Sequence, residues 1–178
     1  MKNASRIAAL TCLAGLAFAF GCTAEIMYRH DYPAPVSALL AEAVALTAIL
    51  GASLKFAGKF ILQTRTDGPV DMVVADYLAP GKVRGYARFD RARVDSLGQP
   101  SQAALLGKGY LAMTVDQGAD MDRYQGIVPL DGGDLTSAAQ TYFAQSEQIP
   151  TSLRLAAGPL LARGQAAERR KRKAPRQT

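Results

Sequence analysis

The sequence predicts an α+β domain: an antiparallel sheet of about five to six strands, arranged as a meander, packed against one buried apolar helix and one amphipathic helix. Three observations carry this. The stretch PAPVSALLAEAVALTAILG, from Pro33 to Gly51, is apolar on every side, the mark of a helix inside a core. Short segments that alternate apolar and polar residues follow it, separated by Asp67-Gly68-Pro69 and Ala79-Pro80-Gly81 turns. Behind them, Asp134 introduces a segment with the three-and-four spacing of a helix that buries one stripe.

The first element is a departure from this plan. Residues 1–23 resemble an export signal, with Lys2 and Arg6 ahead of an apolar run from Ile7 to Phe20. Ala19-Phe20-Gly21-Cys22 partly resembles a lipoprotein cleavage box, in which Phe20 fits poorly. A buried helix or an aberrant start is the competing reading. The core domain is expected over residues 24–162, and residues 163–178 are expected to form a basic, disordered tail.

In the central helix, Pro33 and Pro35 suit the first turn, where a missing N–H costs nothing. Asp31 is a candidate cap or first-turn acid, and Gly51 a candidate C-terminal residue. Val36, Leu39, Leu40, Ala43, Val44, Thr47 and Leu50 share one face, while Ala38, Ala41, Ala45, Ala48 and Ala52 line the other. A membrane span is the rival, since roughly 20 apolar residues cross a bilayer. Glu42 near the middle and the strand pattern directly behind it favour the core helix.

Lys59 to Thr66 alternates and reads as a strand; Val70 to Tyr77 is apolar on both faces and reads as an inner strand. Lys82 to Phe89 alternates again, placing Lys82, Arg84, Tyr86 and Arg88 on a wet, cationic face. Arg91 to Ala104, broken by Gly98 and Pro100, reads as a helical turn and a loop. Tyr110 to Asp116 and Tyr124 to Leu130 are the next strands, the second an edge because of Pro129. Leu135, Ala138, Ala139, Tyr142 and Phe143 form the stripe of the last helix, Pro150 stops it, and Thr151 to Ala157 is a candidate sixth strand.

Composition narrows the function classes. The chain of 178 residues carries a net charge of +6, but seven Lys and Arg from Arg163 onward against the single Glu168 account for all of it. Residues 1–162 are neutral, which argues against the folded basic groove of a duplex binder. The two cysteines, Cys12 and Cys22, and the one histidine, His30, cannot build a disulfide framework or a four-ligand zinc site.

No catalytic constellation emerges. His30 beside Asp31 has no Ser or Cys nucleophile motif for company, so a structural histidine is expected. Asp116, Asp120 and Asp122 lack calcium-loop spacing and read as a solvated turn. Gly107-Lys108-Gly109 lacks the Ser/Thr of a phosphate loop and reads as a strand opening. Arg169 to Lys173 reads as a solvated charge run, with nucleic acid or anionic lipid as its functional alternative. No catalytic, cofactor-binding or metal residue is therefore expected, and residues that would bind a partner stay unassigned.

Six collinear motifs carry a family resemblance. HDYPAPV at His30, GASLKFAGKFILQTRTDGPV at Gly51 and GYARFD at Gly85 lead; GKGYLAMTVDQG at Gly107, MDRYQGIVPLDGG at Met121 and YFAQSEQIPT at Tyr142 follow. The stretch from Glu25 to Leu161 resembles the core domain of the redox-regulated heat-shock holdase, the bacterial thirty-three-kilodalton chaperonin. The resemblance implies an ATP-independent chaperone of the cytoplasm that captures unfolding proteins under oxidative and heat stress, not an enzyme. It also implies a four-cysteine zinc switch, whose thiolates metal and oxidant compete for. No cysteine follows Cys22, so the expectation is a holdase core without that switch, truncated or frame-disrupted, with no cofactor. Its expected partners are unfolded clients, with homodimerisation open and neither nucleic acid nor membrane expected. An inactive product, or an exported or lipid-anchored protein using the same core, is the alternative.

Overall fold

The computed structural model describes residues 30–53, 58–118, 122–146, 148 and 151–157. The expectations for residues 1–23 and 163–178 lie outside these. In chain order the elements are helix α1 (Ala34–Ala52), strands β1 (Lys59–Thr66), β2 (Met72–Leu78) and β3 (Lys82–Arg88), short helices α2 (Arg91–Ser96) and α3 (Gln102–Leu106), strands β4 (Lys108–Asp116) and β5 (Tyr124–Asp131), and helix α4 (Leu135–Gln145).

Helix α1 buries Val36, Leu39, Leu40, Ala43, Val44, Leu46, Thr47 and Ala48, and the Thr47 hydroxyl donates to the Ala43 carbonyl at 2.7 Å. It is long and apolar enough to cross a membrane, yet half of its most apolar window is buried inside the domain, as a core helix requires. Two details of its ends differ from expectation. Pro33 occupies the cap position without a side-chain bond, and Asp31 instead receives the Arg91 guanidinium on its carbonyl and its carboxylate. Gly51 lies inside the helix, where a Cβ would sit 2.4 Å from Tyr77 Cδ1. A glycine is needed there because the helix backbone rests on the Tyr77 ring.

The sheet has the order β3-β2-β1-β4-β5, antiparallel throughout. The first three strands form the predicted meander, but β4 does not extend it. It pairs with the other side of β1, from Lys59 opposite Asp116 to Thr66 opposite Gly109. The cause is the segment between β3 and β4, which holds the expected helical turn at Arg91–Ser96 and, in place of a loop, a second short helix at Gln102–Leu106. Asp90 caps α2 by accepting from the Arg93 N–H at 3.1 Å, and Ser101 caps α3 by accepting from Ala104 at 3.2 Å. Their Val94, Leu105 and Leu106 enter the core. The β1–β2 turn then ties to the end of α3: Gly68 donates to Leu106 at 3.0 Å and Val70 to Leu105 at 2.9 Å. This fixes Val70 in the turn, so β2 begins at Met72, and it starts β4 at Lys108, two residues before the predicted Tyr110.

Helix α4 begins as expected. The Asp134 carboxylate accepts from the Ser137 N–H at 2.7 Å while the Ser137 hydroxyl accepts from the Asp134 N–H at 3.1 Å. Thr151 to Ala157 forms no strand; Leu153 and Leu155 pack on the core, and the Leu153 carbonyl accepts from Gln140 at 3.0 Å.

Candidate functional site

Alternation along each strand divides the sheet into two faces. One carries Phe60, Leu62 and Thr64 of β1, Val73, Ala75 and Tyr77 of β2, Ala87 of β3, Leu111 and Met113 of β4, and Val128 and Leu130 of β5. All of these are buried with α1 and α4. Thr64 is satisfied there by the Val73 N–H at 2.9 Å. Gly126 supplies the seat for α4, since a Cβ would lie 2.1 Å from Tyr142 Cε2.

The other face carries the alternate residues, and the register arranges them in rows. Arg88, Met72, Arg65, Tyr110 and Pro129 form one row; Tyr86, Val74, Gln63, Ala112 and Ile127 the next. Arg84, Asp76, Ile61, Thr114 and Gln125 follow, then Lys82, Leu78, Lys59 and Asp116. Among the described residues no helix closes over these rows: Ile127 is 58%, Tyr86 44% and Tyr110 41% exposed. Large apolar side chains lie open here beside cations. Among the described residues, exposed apolar area gathered in this way is what a binding surface requires.

Its charges are ordered. Asp76, nearly buried, accepts two bonds from Arg84 at 2.9 and 2.8 Å and pairs with Lys59 at 3.3 Å. Asp71 receives Arg88 Nε at 2.8 and 2.9 Å, and these bonds hold its carboxyl below the usual carboxylate range. Asp116 is also lowered, first by the Gly118 N–H at 3.1 Å and then by Arg123 at 2.9 Å.

The residues weighed for chemistry do not assemble into a site. The His30 ring lies tilted 5.3 Å from Tyr32 and edge-on 6.2 Å from Tyr86, while Asp31 engages Arg91, so the two neighbours make no acid–base pair. Asp116 is held by Arg123, Asp122 is exposed, and Asp120 lies outside the described residues. Among the described residues no group of three His, Cys, Asp or Glu is placed to hold a metal ion. Gly107, at φ 68°, turns the chain into β4, and the Lys108 N–H is received by Asp67 at 2.7 Å, as a strand opening requires. Cys12, Cys22 and Arg169 to Lys173 lie outside the described residues. A cleft of about 420 Å³ runs between α1, α3 and the start of α4. Gln102 spans it, donating to Glu42 and accepting from the Leu135 N–H at 3.3 Å, so its polar groups are occupied in tying the two long helices together.

The apolar members on the β4–β5 side were missed from sequence, where only the cationic residues of the third strand were read as a wet face. Their signal was present: Tyr110, Ile127 and Pro129 occupy the outward parity of strands whose inward parity is Leu111, Val128 and Leu130.

Comparison with known proteins places this geometry. A family model described as Hsp33 protein matches residues 17–168. The chain is 53% identical over 138 residues to a 33 kDa chaperonin of Caulobacter vibrioides, covering 75% of this chain and 46% of that protein. It is 40% identical over 141 residues to a 33 kDa chaperonin of Ectopseudomonas mendocina, covering 79% and 47%. The crystal structure of the 33 kDa chaperonin from Thermotoga maritima superposes with a TM-score of 0.64 at 26% identity, over 76% of this chain and 51% of that one. The chain thus spans about half the length of the relatives it matches.

Proposed function

The chain belongs to the Hsp33 family, and from that membership we propose that it is an ATP-independent holdase core, a binding protein and not an enzyme, that grips unfolding proteins in the cytoplasm under heat or oxidative stress. The observation that carries the reading is the open sheet face, where Ile127, Tyr110, Tyr86 and Leu78 stand exposed on a rigid five-stranded platform. A platform of this kind suits clients without a fixed shape. Each apolar side chain it covers contributes about 25 cal/mol per Å² of buried area, less the cost of ordering the client. No covalent step is needed for such a grip.

The family's zinc switch does not fit the residues present. Four thiolates are required and the sequence holds two cysteines, Cys12 and Cys22, to which we give no metal role. The activity proposed for this stretch is one that needs neither oxidation nor a bound metal. The test is light scattering of a heat-unfolding client mixed with the chain, with and without peroxide and with and without a zinc chelator. Equal suppression under all conditions is the expected result; suppression that appears only after oxidation overturns the proposal.

A further inference from the structure

The open face is not uniform. On the β3–β2–β1 side, Lys59, Arg65, Lys82, Arg84 and Arg88 face solvent with Asp71 and Asp76 as their acids. Asp76 is shared between Lys59 and Arg84, and among the described residues Arg65 and Lys82 have no ion-pair partner. Positive charge is left over on this side. On the β4–β5 side the charges balance: Arg123 pairs with Asp116, and Lys108 stands opposite Asp131 in the register. The exposed apolar groups there are Tyr110, Ile127 and Pro129, free of unpaired cations, whereas Tyr86 and Leu78 stand among the cations of the other side.

Neither flanking stretch of the chain complements the cationic side. Residues 1–29 carry Lys2, Arg6 and Arg29 against Glu25, and residues 158–178 carry the basic tail. Both would be repelled. We propose, resting on the holdase reading above, that the occupant of this face is an unfolded segment of another protein in which acidic residues lie next to large apolar ones, bound across the strands with its acids over β1–β3 and its apolar residues over β4–β5. Five strands at the usual spacing are about 19 Å wide, the reach of about six extended residues. The acid and the apolar anchor then lie about four residues apart. Opposite charge steers such segments to the face, while basic segments are rejected by the same field.

The test uses the full 178-residue chain and three fluorescein-labelled peptides read by fluorescence anisotropy. One has a Glu/Asp block beside a Leu/Phe block, the second has Lys in place of the acids, and the third has Ser in place of the apolar residues. The first is expected to bind roughly tenfold tighter than either other at low salt, an advantage that shrinks as salt screens the cations. Arg65→Gln combined with Lys82→Gln is expected to erase the preference for acid over Lys, and Ile127→Ser to weaken the first two peptides alike. All three positions are solvent-exposed, and an unchanged thermal melt confirms that the variants fold. If the acidic and Lys peptides bind equally well, the charge selection is wrong while the apolar grip stands. If neither binds and Ile127→Ser leaves client scattering unchanged, the holdase reading fails and this inference with it.

Discussion

The two faces of the one sheet are built from the same strands, one residue out of phase, and they do opposite work. The covered face is closed: Leu62, Leu111, Met113 and Val128 are essentially inaccessible, and Gly51 and Gly126 let a helix backbone and a tyrosine ring approach where any side chain would collide. The open face keeps Ile127 more than half exposed and sets the ion pairs of Lys59, Arg84 and Arg88 beside the exposed cations Arg65 and Lys82. Stability is invested on one parity, and the proposed grip on clients falls to the other. A substitution should therefore move either the melt or the grip on clients, seldom both.

The largest expected effect tests the covered face. Leu62→Ala removes a fully buried side chain at the centre of β1, between Ala75 and Met113, and should cost about 3 kcal/mol through lost burial and the cavity left behind. The readout is a lower urea midpoint at unchanged slope. A loss under about 1 kcal/mol would mean that the cavity collapses and the face is less rigid than drawn. Next in size is Gly51→Ala, which forces a Cβ against the Tyr77 ring and should cost about 1–3 kcal/mol as overpacking. In an ordinary helix the same change would stabilise by up to about 1 kcal/mol, so the sign alone decides whether the close approach is real.

Asp76→Asn probes the boundary between the two roles. The carboxylate lies on the open face but is nearly buried under Arg84 and Lys59. Its loss should cost about 1–2 kcal/mol in thermal or urea unfolding, between the values for exposed and for buried pairs. Smaller still in stability is Ile127→Ser, expected to shift unfolding by less than about 0.5 kcal/mol because the site is exposed. Its effect should fall on client binding, weakened about fivefold, or roughly 1 kcal/mol. A variant that lost stability and kept its grip would reverse the assignment of the faces.

How much of this division was legible in the sequence follows from what each signal depends on. The strands of the covered face and both long helices were readable because burial imprints a period on the chain, as in Phe60, Leu62 and Thr64 or in Leu135, Ala138, Ala139 and Tyr142. The place of β4 was not readable. Pairing partners are set by how α2 and α3 carry the chain back to the β1–β2 turn, and those helices are five or six residues long, too short for a period to show. Their caps, Asp90 and Ser101, were the available clue. Asp31 reads as a cap or first-turn acid because its neighbours in sequence allow either; the partner it takes, Arg91, comes from sixty residues away. The open face was half legible, since charge on the third strand stands out while a lone outward Ile127 looks like any surface residue.

Acid provides the finest test of the comparison, because the two faces differ in what can titrate. Among the described residues the buried polar side chains beneath the helices are Thr47 and Thr64, which carry no charge at any accessible pH. The carboxyls held below their ordinary value, Asp71 and Asp116, belong to the open side and its turns. A carboxyl lowered in the folded state adds stability that is present above its unfolded value of about 3.9 and is lost as pH falls through the lower folded value. Stability should thus be level from neutral pH to about pH 5 and decline below about pH 4. For Asp71 the decline stays under about 1 kcal/mol, since solvent screens the Arg88 pair. Comparing urea midpoints across pH for the wild type and for Asp71→Asn isolates this part: the two curves should lie apart at pH 6 and converge in acid. Curves that stay parallel into acid would place the titrating group elsewhere.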